Sequence, residues 1–497
     1  MLPFKNLILI SETTSVTKYI QISNQVIKLI KSGILSVKTK LPGSRTMSEI
    51  LGIHRKTVIA AYDELLNQGW IEVIPSKGTY VSSQLPIVQY QSINGSEDQH
   101  NTLSDKTIFS YKTKSHLHRS DVSRQNNIIY IDDGIPDTRI APVTEIAKRY
   151  RSVVNKSYFN KYLSYGSIYG NEVLRKELVH YLNETRGLNI SIDNILITRG
   201  SQMGIYLASQ LLFESEDTVI VGMTNYVAAD ITFKDAGARL LRVSVDDKGI
   251  NTDEIAKLCK KNAVKAVYIT PHHHHPTTVT LSAERRMHLL QLSNEYKFAV
   301  IEDDYDYDYH YTHAPILPLA SSDHHGSVIY IGALCKIVVP GIRIGYMVAP
   351  KSFIEEAAHL RRIIDRQGDP MMELTYAHMI KDGDIQRHSK KALKIYKERR
   401  DLFCQILQQE LSDYIDFKVP DGGMSVWVTL KNNGDWRMIR DKALQKGLSI
   451  EPHEKYNPTR QDHSGIRMGF ASLNEEEIRK GLGILTAVLK KIMNWGL

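Results

Sequence analysis

The sequence predicts an α/β protein: a large unit on a mainly parallel sheet, preceded by a small, basic, mostly helical unit. Three observations predict it. Six short apolar runs, at residues 194–198, 218–222, 264–270, 298–303, 328–332 and 344–349, alternate with helical stretches. Runs so uniformly apolar suit strands covered on both faces. Charge is uneven: residues 1–83 hold ten Lys/Arg against five Asp/Glu, which is +5 of the chain's +8. Between the two textures, residues 84–127 are polar and aperiodic, too long a stretch for a loop inside one domain. The expected units are therefore 1–83, a linker at 84–127, and 128–497. The last divides into a large domain at about 128–382 and a smaller one at about 383–497, where residues 424–430 look antiparallel.

Composition narrows the class. With 42% hydrophobic and 24% charged residues among 497, the chain is of ordinary globular make-up, which excludes wholesale disorder, collagen and disulfide scaffolds. The length exceeds one usual domain. Cys259, Cys335 and Cys404 are odd in number and far apart, as reduced thiols of a cytoplasmic protein would be. No apolar run approaches the roughly 20 residues that cross a bilayer. The opening MLPFKNLILISE lacks a signal-peptide pattern, so a cytoplasmic protein with no membrane partner is expected.

In the first unit, Ile22, Val26, Leu29 and Ile30 form one apolar stripe of a helix over 18–32. Pro42-Gly43 punctuates, Ser44 is the expected N-cap of a short helix to Leu51, and Gly52 turns the chain. A third helix is expected over 55–68 with Val58, Ala61, Tyr62, Leu65 and Leu66 inward, stopped by Gly69. Residues 70–74 and 79–81 read as strands around the turn Pro75-Ser76-Lys77-Gly78.

The stretch LPGSRTMSEILGIHRKTVIAAYDELLNQGWIEVIPSKGTYV, residues 41–81, resembles the winged helix-turn-helix of GntR-type transcription regulators. The resemblance implies binding to double-stranded operator DNA. His54, Arg55, Lys56 and Thr57 would lead the recognition helix into the major groove. Arg55 and Lys56 are each open to guanine reading or phosphate binding. Ser44 and Arg45 are candidate phosphate contacts at a helix N-terminus, and Lys77 and Gly78 form the wing tip.

From about Ile128 the chain resembles fold-type I aminotransferases, enzymes dependent on pyridoxal 5'-phosphate, and as a whole it resembles the MocR-type subgroup of GntR regulators. The motif YIGALCKIVVPGIRIGY, residues 330–346, places the family's Schiff-base lysine, the catalytic residue, at Lys336. Such a lysine acts as the free amine, so its site must lower its pKa. In KFAVIEDDYDYDYHY an apolar run ends in acids at the carboxyl end of a strand, where ligands of such sheets bind. The resemblance gives the pyridine nitrogen to Asp303, with Asp304 as the fallback, and the ring hydroxyl to Tyr305. In ILITRGSQMGIYLASQLL a helix starts at Gly200-Ser201-Gln202, offering free N–H groups to an anion. The cofactor phosphate is expected there, on Ser201 and Gln202, with Arg343 supplying charge. By the same resemblance Tyr226 stacks on the cofactor ring, Tyr165 reaches the neighbouring subunit's phosphate in a homodimer, and Arg467 binds a substrate carboxylate.

Three places depart from the family pattern. Ala333, Leu334 and Cys335 precede Lys336 where the family usually has Thr-x-Ser, so two hydroxyls are missing. Asp230 stands where some members carry an arginine. The loop Pro271-His272-His273-His274-His275-Pro276-Thr277 replaces a Pro-x-His-Gln-x-Pro-Thr loop. Adjacent histidines alternate direction and rarely converge on one ion, so the expectation is a cofactor-side loop with His273 in the family's position and no metal. The function expected is a transcription regulator sensing pyridoxal phosphate, or an amino acid or other amine. The alternatives are a working aminotransferase and a DNA-binding protein with a vestigial dimerisation domain.

Overall fold

The apolar runs of the second half become the strands of one sheet. The computed structural model describes residues 3–11, 14–85, 107–118, 125–312, 316–322, 324–431, 435–456 and 465–493. It forms two compact units, Met1–Lys112 and Thr113–Leu497. Residues 86–106 and 119–124 of the expected linker lie outside the described residues. Its remainder is partly tied down: Lys114 Nζ donates to Asp235 at 2.7 Å, and His116 meets the same carboxylate at 3.2 Å.

The first unit packs the helices Lys18–Lys31, Ser44–Leu51 and Arg55–Asn67 around Ile22, Val26, Met47, Val58, Ala61 and Leu65. Ile71–Ile74 and Gly78–Val81 form an antiparallel hairpin. Gly52, at φ 64°, makes the left-handed turn between the second and third helices. The buried Tyr62 hydroxyl donates to Pro42 O at 2.7 Å and pins the entry to the second helix. Two expectations are corrected. Ser44 is not the N-cap: Gly43 holds that position with extended backbone, and Ser44 already lies in the first turn. Leu66 is 42% exposed, because the buried stripe runs through Val58, Ala61, Tyr62 and Leu65 and the next residue is turned about 100° away.

The second unit is built on a seven-stranded sheet in the order Ile195–Thr198, Gly345–Val348, Val328–Ala333, Ala299–Asp304, Val264–Ile269, Thr218–Gly222, Arg239–Val243. All neighbours are parallel except Gly345–Val348, which is antiparallel to both of its own. Strand alternation feeds two cores. Val267, Val300 and Tyr330 pack on one face, and Tyr268, Ile301 and Ile331 on the other. The edge strand Arg239–Val243 escaped sequence reading because it is bounded by a charged exposed residue and only Val243 is fully buried.

A third core joins the long helix Asp384–Leu411 and the helix Glu475–Met493 to a three-stranded antiparallel sheet, Ile415–Phe417, Ser425–Leu430 and Gly465–Gly469. Ile129–Ile131 pairs in parallel with Leu448–Ile450. Sequence order assigns residues 129–131 to the large domain, whereas pairing assigns them to this lobe. No described helix is long and apolar enough to cross a membrane.

Candidate functional site

The carboxyl end of the strand Ala299–Asp304 carries three buried acids, and pleating sends them to opposite faces. Glu302 accepts from the N–H groups of Leu319 and Ala320, at 2.8 and 2.9 Å. Asp304 accepts from the Tyr330 hydroxyl at 2.6 Å and meets His272 Nδ1 at 3.1 Å. Both point to the face of Tyr330. Asp303 points to the other face, where the Tyr268 hydroxyl donates to its Oδ2 at 2.8 Å and its buried Oδ1 has no partner. Burial, with Asp304 and Asp306 nearby, lifts the Asp303 carboxyl to about 7 against the pull of Tyr268 and Lys336. Asp303 Oδ1 thus has no partner on its own face, whereas Asp304 Oδ1, also without a hydrogen bond, faces His272.

Lys336 follows the strand Val328–Ala333 in a tight turn, where the Tyr309 hydroxyl donates to the carbonyls of Lys336 and Ile337, at 3.2 and 3.1 Å. Its Nζ donates to Gly134 O at 2.9 Å. Burial lowers the ammonium's pKa, assisted by Arg467 and opposed by Asp133, Asp306 and Asp132. A lowered value favours the free amine that a nucleophilic lysine needs. Cys335, in a position where a hydroxyl was expected, turns its Sγ to Ile344 O at 3.3 Å.

The helix Ser201–Leu212 begins at Gly200, φ 80°, with no side-chain cap. Its first N–H groups are thus available to an anion. Arg343 lies over this start: its Nη2 donates to Arg199 O at 2.8 Å, and a Cβ on Gly200 would sit 2.8 Å from the guanidinium. Ser201 is in the first turn beside Gln202, whose amide donates to Thr232 at 2.8 Å and whose Oε1 is buried without a partner.

The four histidines diverge. His272 meets Asp304, His273 Nδ1 meets Asp306 at 2.8 Å, and His274 Nδ1 meets the Thr277 hydroxyl at 2.8 Å. His275 packs edge-on against Tyr226, with ring centres 5.1 Å apart, and its Nε2 lies 3.2 Å from Asp133. The loop residue packed on Tyr226 is His275, while the side chain of His273 is held against Asp306 and Gly422. Among the described residues no three His, Cys, Asp or Glu converge as a metal site. Tyr305 donates to His273 O at 2.8 Å and accepts from Arg467 at 3.2 Å, so its hydroxyl proton is engaged within the loop. Tyr165 is 76% exposed, with the Arg366 guanidinium over its ring at 4.1 Å, and is not joined to this cluster.

Arg467, 1% exposed, is turned toward Asp133, whose Oδ1 lies 3.4 Å from its Nε. Lys455 and Tyr456 also donate to Asp133, at 2.9 and 2.7 Å. Asp230 is buried against Arg242 and accepts from Asn225 at 2.6 Å, which balances its charge. Sequence reasoning missed Tyr268, Asp133, His275, Lys455 and Tyr456. Only the unusual histidine loop gave any signal, and it did not say which ring faces inward.

In the first unit His54 caps the helix Arg55–Asn67 by accepting Lys56 N–H at 3.2 Å. Arg45, His54, Arg55, Lys56, Lys77 and Gly78 are exposed, while Ser44 and Thr57 are half-buried. Arg55 reaches the Ser44 hydroxyl at 3.4 Å, and Arg45 lies 3.7 Å from Glu49. A helix N-terminus fringed by such cations suits phosphate and base edges together.

Comparison with known proteins gives two family matches. Residues 132–485 match "Aminotransferase class I and II", and residues 18–81 match "Bacterial regulatory proteins, gntR family". Aromatic-amino-acid aminotransferase 1 of Thermococcus litoralis is 30% identical over 375 residues, covering 74% of this chain and 89% of that protein. The uncharacterized HTH-type transcriptional regulator YdfD of Bacillus subtilis is 27% identical, over 96% of this chain and 97% of that one. The probable rhizopine catabolism regulatory protein MocR of Rhizobium meliloti is 23% identical, over 94% and 92%. Among solved structures, the multiple substrate aminotransferase of Thermococcus profundus superposes with a TM-score of 0.72 at 27% identity, over 77% of this chain and 98% of that one. The kynurenine aminotransferase of Pyrococcus horikoshii, solved in complex with PMP, gives 0.71 at 28%, over 77% and 97%. The chain therefore belongs to the class I and II aminotransferase family and, with a GntR-family helix-turn-helix at its head, is a MocR-like regulator.

Proposed function

We propose that this chain is a cytoplasmic, homodimeric transcription regulator that holds operator DNA with its first unit and binds pyridoxal 5'-phosphate on Lys336 in its second. One observation carries the reading. A lysine with a lowered pKa, an acid with an orphaned acceptor and an uncapped helix start under an arginine are gathered in one unit of a chain that also presents a recognition helix with an exposed basic leading end. These residues fit the cofactor's functional groups. Lys336 would tether the aldehyde carbon, and the free Oδ1 of Asp303 would accept from the pyridine N–H. The N–H groups after Gly200, with Ser201 and Arg343, would hold the phosphate. Tyr226 and His275 would flank the ring. When bound, the cofactor supplies an electron sink for amines.

The chain's own residues govern orientation and proton movement. Tyr268 keeps one Asp303 oxygen occupied and leaves the other free, which would accept from a ring N–H. Lys336 can take up or return a proton at the amine's carbon, the step that a regulator with residual transaminase chemistry would share with an enzyme. An amine effector changes DNA affinity only if it binds two arrangements of the DNA-holding units unequally. A working aminotransferase is the second reading, favoured by the retention of Lys336, Asp303 and Arg343.

The test is direct. Protein mixed with pyridoxal phosphate and reduced with borohydride should carry a phosphopyridoxyl group on Lys336, and its operator affinity should shift on loading with cofactor or amine. Retention of the label by Lys336→Ala would overturn the attachment. Conversion of a keto acid at ordinary enzyme rates would favour the second reading.

A further inference from the structure

The buried arginine of the candidate site, Arg467, already has a counter-ion. Each nitrogen of the Arg467 guanidinium has a partner inside the protein: Nε donates to Asp133 O at 3.1 Å, Nη1 to Pro276 O at 3.0 Å and Nη2 to the Tyr305 hydroxyl at 3.2 Å. The Asp133 carboxylate sits in the same knot. Oδ1 receives the Tyr456 hydroxyl at 2.7 Å and lies 3.4 Å from Arg467 Nε; Oδ2 receives Lys455 at 2.9 Å and lies 3.2 Å from His275 Nε2. The backbone around it is anchored on both sides. Asp132 accepts from Gly134 N, Ile135 N and Ser472 Oγ, and its carbonyl accepts from Gly469 N at 2.7 Å. Two residues on, Gly134 O accepts from Lys336. Gly469 cannot carry a side chain, because a Cβ there would lie 2.5 Å from Asp132. Asp133 is therefore placed by a rigid segment, beside the lysine and on the arginine at once. Burial alone would raise its pKa, but the contact with His275 and the charges of Lys455 and Arg467 outweigh burial and hold the carboxyl well below its usual range.

We propose that Asp133 is a specificity-determining residue: as resident counter-ion of Arg467 it disfavours a ligand carboxylate at that arginine, so the pocket selects primary amines lacking a carboxylate on the amine-bearing carbon. The proposal rests on the reading of Lys336 as the cofactor lysine. An incoming carboxylate faces a fixed like charge within the same guanidinium fork, a repulsive element of the kind that creates selectivity in a partly dehydrated site. An amine without that group meets no such penalty.

The experiment compares pairs that differ only in the carboxylate, L-alanine with ethylamine and L-tyrosine with tyramine, by spectral titration of the protein loaded with pyridoxal phosphate. The parent should bind each amine at least about tenfold more tightly than its amino acid. Asp133→Asn should reverse most of that preference by strengthening the amino acid, with the amine changed less than about threefold. Asp133→Ser serves should the first variant lose its fold, and Asp133→Glu, which keeps the charge, should retain the parent's preference. An unchanged ratio in the neutral variants, or a parent that takes amino acids as readily as amines, would overturn the proposal. A second readout needs no cofactor: propionate should raise the thermal midpoint of Asp133→Asn and leave the parent unmoved, and an equal response in both would also overturn it. Loss of the borohydride label on Lys336 would instead sink the cofactor reading, with the propionate comparison still deciding the role of Asp133.

Discussion

Replacing Asp303 by asparagine should stabilise the cofactor-free protein above neutral pH while weakening its hold on pyridoxal phosphate. The carboxyl sits at about 7 because burial strips its water, only one of its oxygens is hydrogen-bonded, and Asp304 and Asp306 add negative charge. In an unfolded chain the same group loses its proton near pH 4. Between these values the folded state binds more protons than the unfolded one, so stability falls as pH rises, by about 1.4 kcal/mol per pH unit. Over the whole window this amounts to roughly 4 kcal/mol, reached at about pH 7 and constant above it. Asparagine avoids that cost and still accepts from Tyr268, but it buries an amide N–H group without an acceptor, at about 1–3 kcal/mol. The net expectation is a gain of about 1–3 kcal/mol at pH 8, shrinking or reversing at pH 5. Urea midpoints of parent and variant, measured without cofactor at pH 5, 6, 7 and 8, read the difference directly. Other titrating groups are shared by the two proteins and cancel. A difference that is the same at every pH would refute the reasoning. Loss of the charged acceptor should also weaken the cofactor about a hundredfold in a spectral titration.

Gly200→Ala puts a Cβ against the Arg343 guanidinium at a backbone angle that suits glycine. It should weaken pyridoxal phosphate at least about tenfold, as one displaced charged contact does, and an unchanged dissociation constant would count against the phosphate assignment. Lys56→Ala should lower affinity for operator and random duplex alike and reduce the slope of log K against log salt by about one if the side chain binds phosphate; a loss confined to one base position would show base reading instead. Tyr62→Phe removes the hydrogen bond to Pro42 O and should cost about 1 kcal/mol in the unfolding of the first unit, followed by denaturant titration of the whole chain.

Much of the architecture was legible in the residues because burial leaves a pattern. The central strands run apolar, and the recognition helix shows its stripe at Val58, Ala61, Tyr62 and Leu65. The half-exposed edge strand Arg239–Val243 did not, since one wet boundary removes the pattern. Lys336, Asp303, Arg343 and the start of the helix at Ser201 could be singled out as candidates by motif and strand-end position. Tyr268 was not, because a tyrosine in a strand reads as core until the neighbouring strand brings Asp303 to its hydroxyl. Ser44 and Leu66 were misplaced by one position each, the limit of reading caps and faces from a sequence.

By itself the sequence determined which elements form, where the charge lies and which residue types were present for DNA and for an aldehyde cofactor. These are properties of local composition and period. Direction and partnership were decided only by the fold. Pleating put Asp303 and Asp304 on opposite faces of the sheet. Loop geometry set His275 against Tyr226 and His273 against Asp306. Pairing of Ile129–Ile131 with Leu448–Ile450 helped to bring Asp133 onto Arg467, 334 residues further along the chain. Contacts between residues so far apart in sequence leave no period behind, and so only packing reveals them.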